Sequence, residues 1–155
     1  MSAMDQLYQQ LILDHAKHPQ GSPLVEATAG AVVGEAHEVN PTCGDEVTMR
    51  IELDQSGSEP SIAKLSWSGQ GCSISQASIS VLTELVSGQS VAEAERLAGL
   101  FRDLMDTRGA GLESEDDLEA LGDAAAFTGV SKYPARIKCA LLGWSALRSA
   151  LLTAQ

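Results

Sequence analysis

Four residues of this sequence carry the side chains best suited to chemistry: Cys43, Asp45, Cys72 and Cys139. Cys43 lies in Asn40-Pro-Thr-Cys-Gly-Asp45, a turn-rich stretch that puts a carboxylate two residues from a thiol. Cys72 lies in Ser68-Gly-Gln-Gly-Cys-Ser73, a glycine-rich loop entering a helix, where backbone N–H groups and the helix dipole favour thiolate. Cys139 follows Tyr133-Pro-Ala-Arg-Ile-Lys138, and the charges of Arg136 and Lys138 also favour thiolate. Three thiolates and a carboxylate are donors that zinc accepts, enough to close a tetrahedral shell. Two other readings stand beside this one. A lone cysteine is often a small buried hydrophobe, and the spacing here is not that of a paired CxxC knuckle. A Cys–His nucleophile is the rival chemistry, but His15, His18 and His37 lie in no nucleophile motif, and Ser68-Gly-Gln-Gly71 is not followed by the Gly-Lys-Ser/Thr of a phosphate loop.

The elements that must position these groups are legible from hydropathy. Leu7, Tyr8, Leu11 and Ile12 recur at helical spacing with His15 on the same stripe, Ser2 and Asp5 form a capping box ahead of them, and Pro19, Gly21 and Pro23 end the helix. Residues 31–39 form a weakly patterned strand. Residues 46–54 alternate cleanly, with Val47, Met49, Ile51 and Leu53 against Thr48, Arg50, Glu52 and Asp54. After a polar turn, Ala63, Leu65 and Trp67 alternate again, which predicts an antiparallel hairpin. From residue 73 the pattern is helical: 73–87, a helix opened by the capping box Ser90-Val-Ala-Glu93, and a last helix over about 135–153. Half-wet strands followed by helices predict an α+β fold: a small antiparallel sheet of about three strands with helices packed on one face.

The 155 residues read as one domain, 1–155, long enough to bury a core without a metal or disulfide staple. The formal net charge is −11, which argues against nucleic acid or an anionic membrane as a partner. There is no apolar run of membrane-spanning length and no basic-then-apolar secretory leader, so the cytoplasm is the expected compartment, and an odd cysteine count there favours free or metal-bound thiols. Residues 107–129 stand apart: six acids against one base make an acidic insertion, expected as a solvated surface segment or a partner-facing patch.

Taken together, the motifs are familiar. Leu7-Tyr8, Ile12-Leu-Asp-His15, Asn40-Pro-Thr-Cys-Gly-Asp45, Gly69-Gln-Gly-Cys-Ser-Ile-Ser-Gln-Ala-Ser78 and Arg136-Ile-Lys-Cys-Ala-Leu-Leu-Gly-Trp144 resemble the IscU/NifU-N family of iron–sulfur cluster assembly proteins, and within it the SufU branch. Two features favour that branch: Lys138 stands where IscU-type scaffolds place a histidine before the third cysteine, and residues 107–129 supply an insertion typical of SufU-like chains. The resemblance implies a zinc site of Cys43, Asp45, Cys72 and Cys139. It also implies a sulfur acceptor at Cys43 and a PLP-dependent, SufS-type cysteine desulfurase as donor, with a downstream iron–sulfur scaffold as recipient. Arg136 is expected to balance the negative charge that three thiolates and a carboxylate leave around a divalent ion. The alternative within the family is a scaffold that builds a [2Fe–2S] cluster, or holds iron, on the same ligands.

Overall fold

A computed structural model describes residues 3–154. Helix α1 spans Ala3–Lys17, strands β1, β2 and β3 span Val32–Asn40, Asp45–Asp54 and Ser61–Gln70, and helices α2 and α3 span Ser73–Val86 and Val91–Met105. A short helix α4, Glu115–Leu121, runs into a 3₁₀ segment, Gly122–Lys132, and the last helix α5 covers Pro134–Thr153. Ser2, half of the expected capping box on α1, lies outside the described residues.

The sheet is antiparallel in the order β1-β2-β3. The period-two pattern of β2 decides which way it faces: Asp45, Val47, Met49 and Ile51 point inward with at most 1% exposure, while Glu46, Thr48 and Arg50 face the other side. That outer side is crossed by the chain between α1 and β1. Leu24 and Val25 donate backbone N–H groups to Ser68 and Ser66, and Arg50 donates to the carbonyl of Val25. In β3 the alternation changes phase. The register steps between Glu52 and Leu53, so that Leu53 pairs with Ile62 and Ala63 is squeezed out as the extra residue of a bulge. Ile62, Leu65 and Trp67 therefore face the core and Ala63 is exposed, where simple alternation had placed Ala63 inward.

Helices cover the inner face. α5 lies along β1 and β2 and packs against α2, which is enclosed in turn by α1 and the 3₁₀ segment. Because α2 is surrounded, Ser75, Ser78 and Ser80 are buried and each finds an internal partner: Ser75 donates to the carbonyl of Cys72 (3.0 Å), Ser78 donates to the carbonyl of Ala140 (2.6 Å), and Ser80 Oγ accepts the N–H of Gln20 (2.8 Å) and meets His15 Nδ1 (2.7 Å). Through that contact His15 ties α1 to α2, and its other ring nitrogen lies 3.7 Å from Asp123 of the 3₁₀ segment. On α1, Ile12 is buried and Tyr8 and Leu11 pack beside it, but Leu7 falls off the stripe and is 66% exposed. Ser90 and Ser114 cap α3 and α4, accepting the N–H groups of Glu93 and Asp117.

The acidic segment 107–129 has two halves. Glu113, Glu115, Asp116 and the loop before them face solvent, as expected for a surface insertion. The second half does not: Leu121, Ala124, Ala126 and Phe127 are buried, and Phe127 meets Phe101 edge-on at 5.8 Å, while Phe101 stacks on Trp144 at 5.1 Å. Leu121, residues 124–127 and Val130 are thus part of the core while Gly122, Asp123 and Gly129 stay exposed, and the surface insertion is shorter than its charge suggested. Among the described residues no helix is long and apolar enough to cross a membrane.

Candidate metal and thiol centre

Three chain segments end at one corner of the sheet. β1 and β2 are joined by a four-residue turn whose flanking residues, Asn40 and Asp45, pair with each other. Gly44 makes this turn possible: at φ +74° it adopts a left-handed conformation that a side chain would strain, and its N–H bonds the carbonyl of Asn40 at 2.8 Å. Cys43 therefore sits at an exposed hairpin tip. Strand β3 runs back along β2, with Gln70 opposite Glu46, so the next residues arrive beside Asp45. Cys72 occupies the N-cap position of α2 in extended geometry and is partly exposed. Cys139 comes from the second turn of α5, started by Pro134, and α5 buries it against the sheet to 2% exposure.

Asp45 is the hub. Its Oδ1 accepts the backbone N–H of Cys72 at 2.9 Å, and its Oδ2 accepts the Cys43 thiol at 3.0 Å and lies 3.8 Å from the Cys72 sulfur. The Cys43 and Cys139 sulfurs are 3.4 Å apart, within hydrogen-bond distance and not joined by a disulfide. Donor atoms of Cys43, Asp45 and Cys139 all lie within 4.8 Å of one another, and Cys72 adjoins the group through Asp45. All four sequence-predicted donors thus come to one place. Burial pushes the Asp45 carboxyl up, but hydrogen bonds from the Cys43 and Cys139 thiols and the Cys72 N–H outweigh it and hold it below its ordinary value. Cys139 goes the other way. Burial first, then the neighbouring Asp45 and the two other sulfurs, push its thiol far up. The positive charges read nearby in sequence do not reverse this, because Arg136 and Lys138 are exposed while the Cys139 sulfur is buried.

The site gathers a buried carboxylate and three thiols, and among the described residues that carboxylate makes no ion pair with a Lys, Arg or His side chain. Thiolate and carboxylate donors at these separations suit a zinc-type ion. Two further residues belong to the site. Asn40, buried to 7% exposure, donates its side-chain N–H to Cys43 Sγ at 3.0 Å, and Ser75 Oγ lies 4.0 Å from the Cys72 sulfur. The signal for Asn40 was present in the sequence, since Asn at the head of a turn bonds the backbone two residues on, and Thr42 N–H does meet its Oδ1 at 3.2 Å. Arg136 stands one turn before Cys139 and lines a separate cleft of about 600 Å³ with Tyr8, Leu13, Ile74 and Tyr133.

Fold, corner site and motif order define one family. The NifU-like N terminal domain family matches residues 7–140, and the chain belongs to it. Among similar curated proteins, the zinc-dependent sulfurtransferase SufU of Bacillus subtilis (strain 168) is 40% identical over 93% of this chain and 88% of its own length. The iron–sulfur cluster assembly scaffold protein IscU of Streptococcus pyogenes serotype M1 is 34% identical over 97% of this chain and 86% of its own. A crystal structure from Fervidobacterium islandicum AW-1, described as that of a candidate iron–sulfur cluster assembly scaffold for the SUF system, superposes with a TM-score of 0.77 at 32% identity, covering 94% of this chain and 97% of that one.

Proposed function

We propose that this protein carries sulfur for iron–sulfur cluster assembly, accepting it at Cys43 from a PLP-dependent, SufS-type cysteine desulfurase and passing it to a downstream scaffold. One observation carries the reading: of three thiols gathered on one carboxylate, Cys43 alone sits exposed at a hairpin tip, while Cys72 is half-covered and Cys139 buried. Cys43, Asp45, Cys72 and Cys139 would hold zinc, which when bound keeps thiols deprotonated and out of disulfides. The 40% identical Bacillus relative, itself called a zinc-dependent sulfurtransferase, supports this choice of metal and activity.

Transfer is thiol exchange. The Cys43 thiolate attacks the outer sulfur of the desulfurase persulfide. A bond forms between that sulfur and Cys43 Sγ, the persulfide bond breaks, and the electron pair leaves on the desulfurase cysteine. Asp45, Cys72 and Cys139 stay behind on more buried elements, so Cys43 can swing on its turn without dismantling the corner. Arg136 is proposed to offset the site's negative charge from the first turn of α5.

A scaffold role on the same four residues is the second reading, favoured by the 34% identical Streptococcus relative. Intact-mass spectrometry after incubation with desulfurase and cysteine separates them. Sulfur carriage gives a colourless protein that gains the mass of one sulfur atom, and Cys43→Ala abolishes the gain. A brown protein after anaerobic reconstitution, with no such adduct, would establish the scaffold instead.

A further inference from the structure

Cys43 Sγ has three polar neighbours, and they differ in what they can give. Asp45 Oδ2, at 3.0 Å, can only accept from the thiol when ionised. Cys139 Sγ, at 3.4 Å, is another sulfur. Asn40 Nδ2, at 3.0 Å, is a permanent donor. Its direction is fixed, because the other end of the amide accepts the Thr42 N–H at 3.2 Å. The side chain is also held still, being 7% exposed at the end of β1 and opposite Asp45 in the ladder.

From this geometry we propose that Asn40 is a catalytic residue for giving sulfur away, acting on Cys43 Sγ as it leaves. The proposal rests on the reading of Cys43 as a sulfur carrier. In release, an acceptor thiolate attacks the outer sulfur of the Cys43 persulfide. The new sulfur–sulfur bond forms on the acceptor, the bond between Sγ and the outer sulfur breaks, and its electron pair stays on Sγ, which departs as thiolate. A hydrogen bond to an anion is roughly twice as strong as one to a neutral atom. The Asn40 bond is therefore weak while Sγ is the neutral inner sulfur of a persulfide and strengthens as Sγ becomes thiolate. A stabilised leaving thiolate departs faster. In loading the same bond is strong at the start and weak at the end, so it gives no help there. Asn40 biases the carrier toward delivery.

Asn40→Asp separates this role from merely shaping the turn: it keeps an acceptor for the Thr42 N–H and removes the donor to sulfur. Asn40→Ala removes both. The Cys43 persulfide is loaded with inorganic polysulfide, so the measurement stands whether or not a desulfurase is the natural donor, and release to dithiothreitol is followed by peptide mass spectrometry on the folded fraction. Release is expected to slow about tenfold in both variants, with loading unchanged or more complete. Wild-type release from the Asn40→Asp protein, or loading and release slowed equally in both variants, would overturn the proposal. Failure of the wild type to load from a desulfurase, with the polysulfide result intact, would count against the carrier reading alone.

Discussion

Asp45 Oδ1 accepts the backbone N–H of Cys72 at 2.9 Å, so the first residue of β2 holds the first turn of α2. In a capping box, a glutamate within the helix reaches back to the N-cap N–H; here a carboxylate from the sheet does so, leaving its second oxygen for the sulfurs. Asp45→Ala is therefore expected to lose both a donor and the placement of Cys72. Metal affinity should fall by more than the roughly 10–100-fold seen when an outer partner alone is lost. Asp45→Asn, which keeps an oxygen for the Cys72 N–H, should fall less. Competition with a chromophoric zinc chelator measures both, and equal affinities for the two variants would contradict the double role.

The same carboxylate predicts an acid dependence in the metal-free protein. Burial raises its pKa, but the hydrogen bonds from Cys43, Cys139 and Cys72 overcome this, so the folded value lies below the unfolded one. A group depressed in this way adds stability that is fully present above its unfolded pKa and is lost as pH falls through the folded value. The stability advantage of chelated wild type over chelated Asp45→Asn should hold near neutrality and shrink below about pH 4. Urea titrations across that range test it; a gap that stays constant into acid would show that the ionised form is not favoured in the fold.

The second half of the acidic segment belongs to the core, and mutation should reveal the divide. Phe127→Ala removes a fully buried ring packed on Phe101 and is expected to cost about 3–5 kcal/mol. Asp116→Asn, on the exposed side of α4, should change stability by less than about 0.5 kcal/mol. Urea unfolding of the two proteins compares them directly. Similar small losses would mean that the segment is a dispensable surface loop.

What sequence could and could not convey follows from these residues. Alternation located β2 because one face is buried along its length, and extending its phase back by one step places Asp45 on the inward row with Val47 and Met49. Ala63 was misplaced because a bulge adds a residue without any change of composition, and only pairing with Leu53 exposes the slip. Phe127 was hidden by the acids before it, since charge counted over a window averages a wet half with a dry one. The four donors were legible as residue types, but their convergence depends on the β1–β2 turn, the end of β3 and the second turn of α5 meeting at one corner. The expectation that Arg136 and Lys138 would favour thiolate at Cys139 met a larger opposing effect that spacing along the chain does not show: both cations are exposed while the sulfur is buried, and burial pushes the thiol up.

Gly71 offers the sharpest test of how tightly that corner is built. It links β3 to the Cys72 N-cap, and a Cβ added there would stand 2.3 Å from Asp45 Oδ1 and 2.5 Å from Ser75 Oγ. Neither neighbour can give way freely, because Oδ1 is bonded to the Cys72 N–H and Ser75 Oγ donates to the Cys72 carbonyl at 3.0 Å. Gly71→Ala must therefore push Asp45 off Cys72 or displace the loop that carries the second sulfur. The core lies elsewhere, in Val47, Met49, Phe101 and Trp144, so the fold should survive while the donor set opens. The expected outcome is an unchanged far-ultraviolet circular dichroism spectrum with zinc retention reduced by about tenfold or more. Full zinc occupancy in folded Gly71→Ala protein would mean that Asp45 is not held where its bond to Cys72 places it.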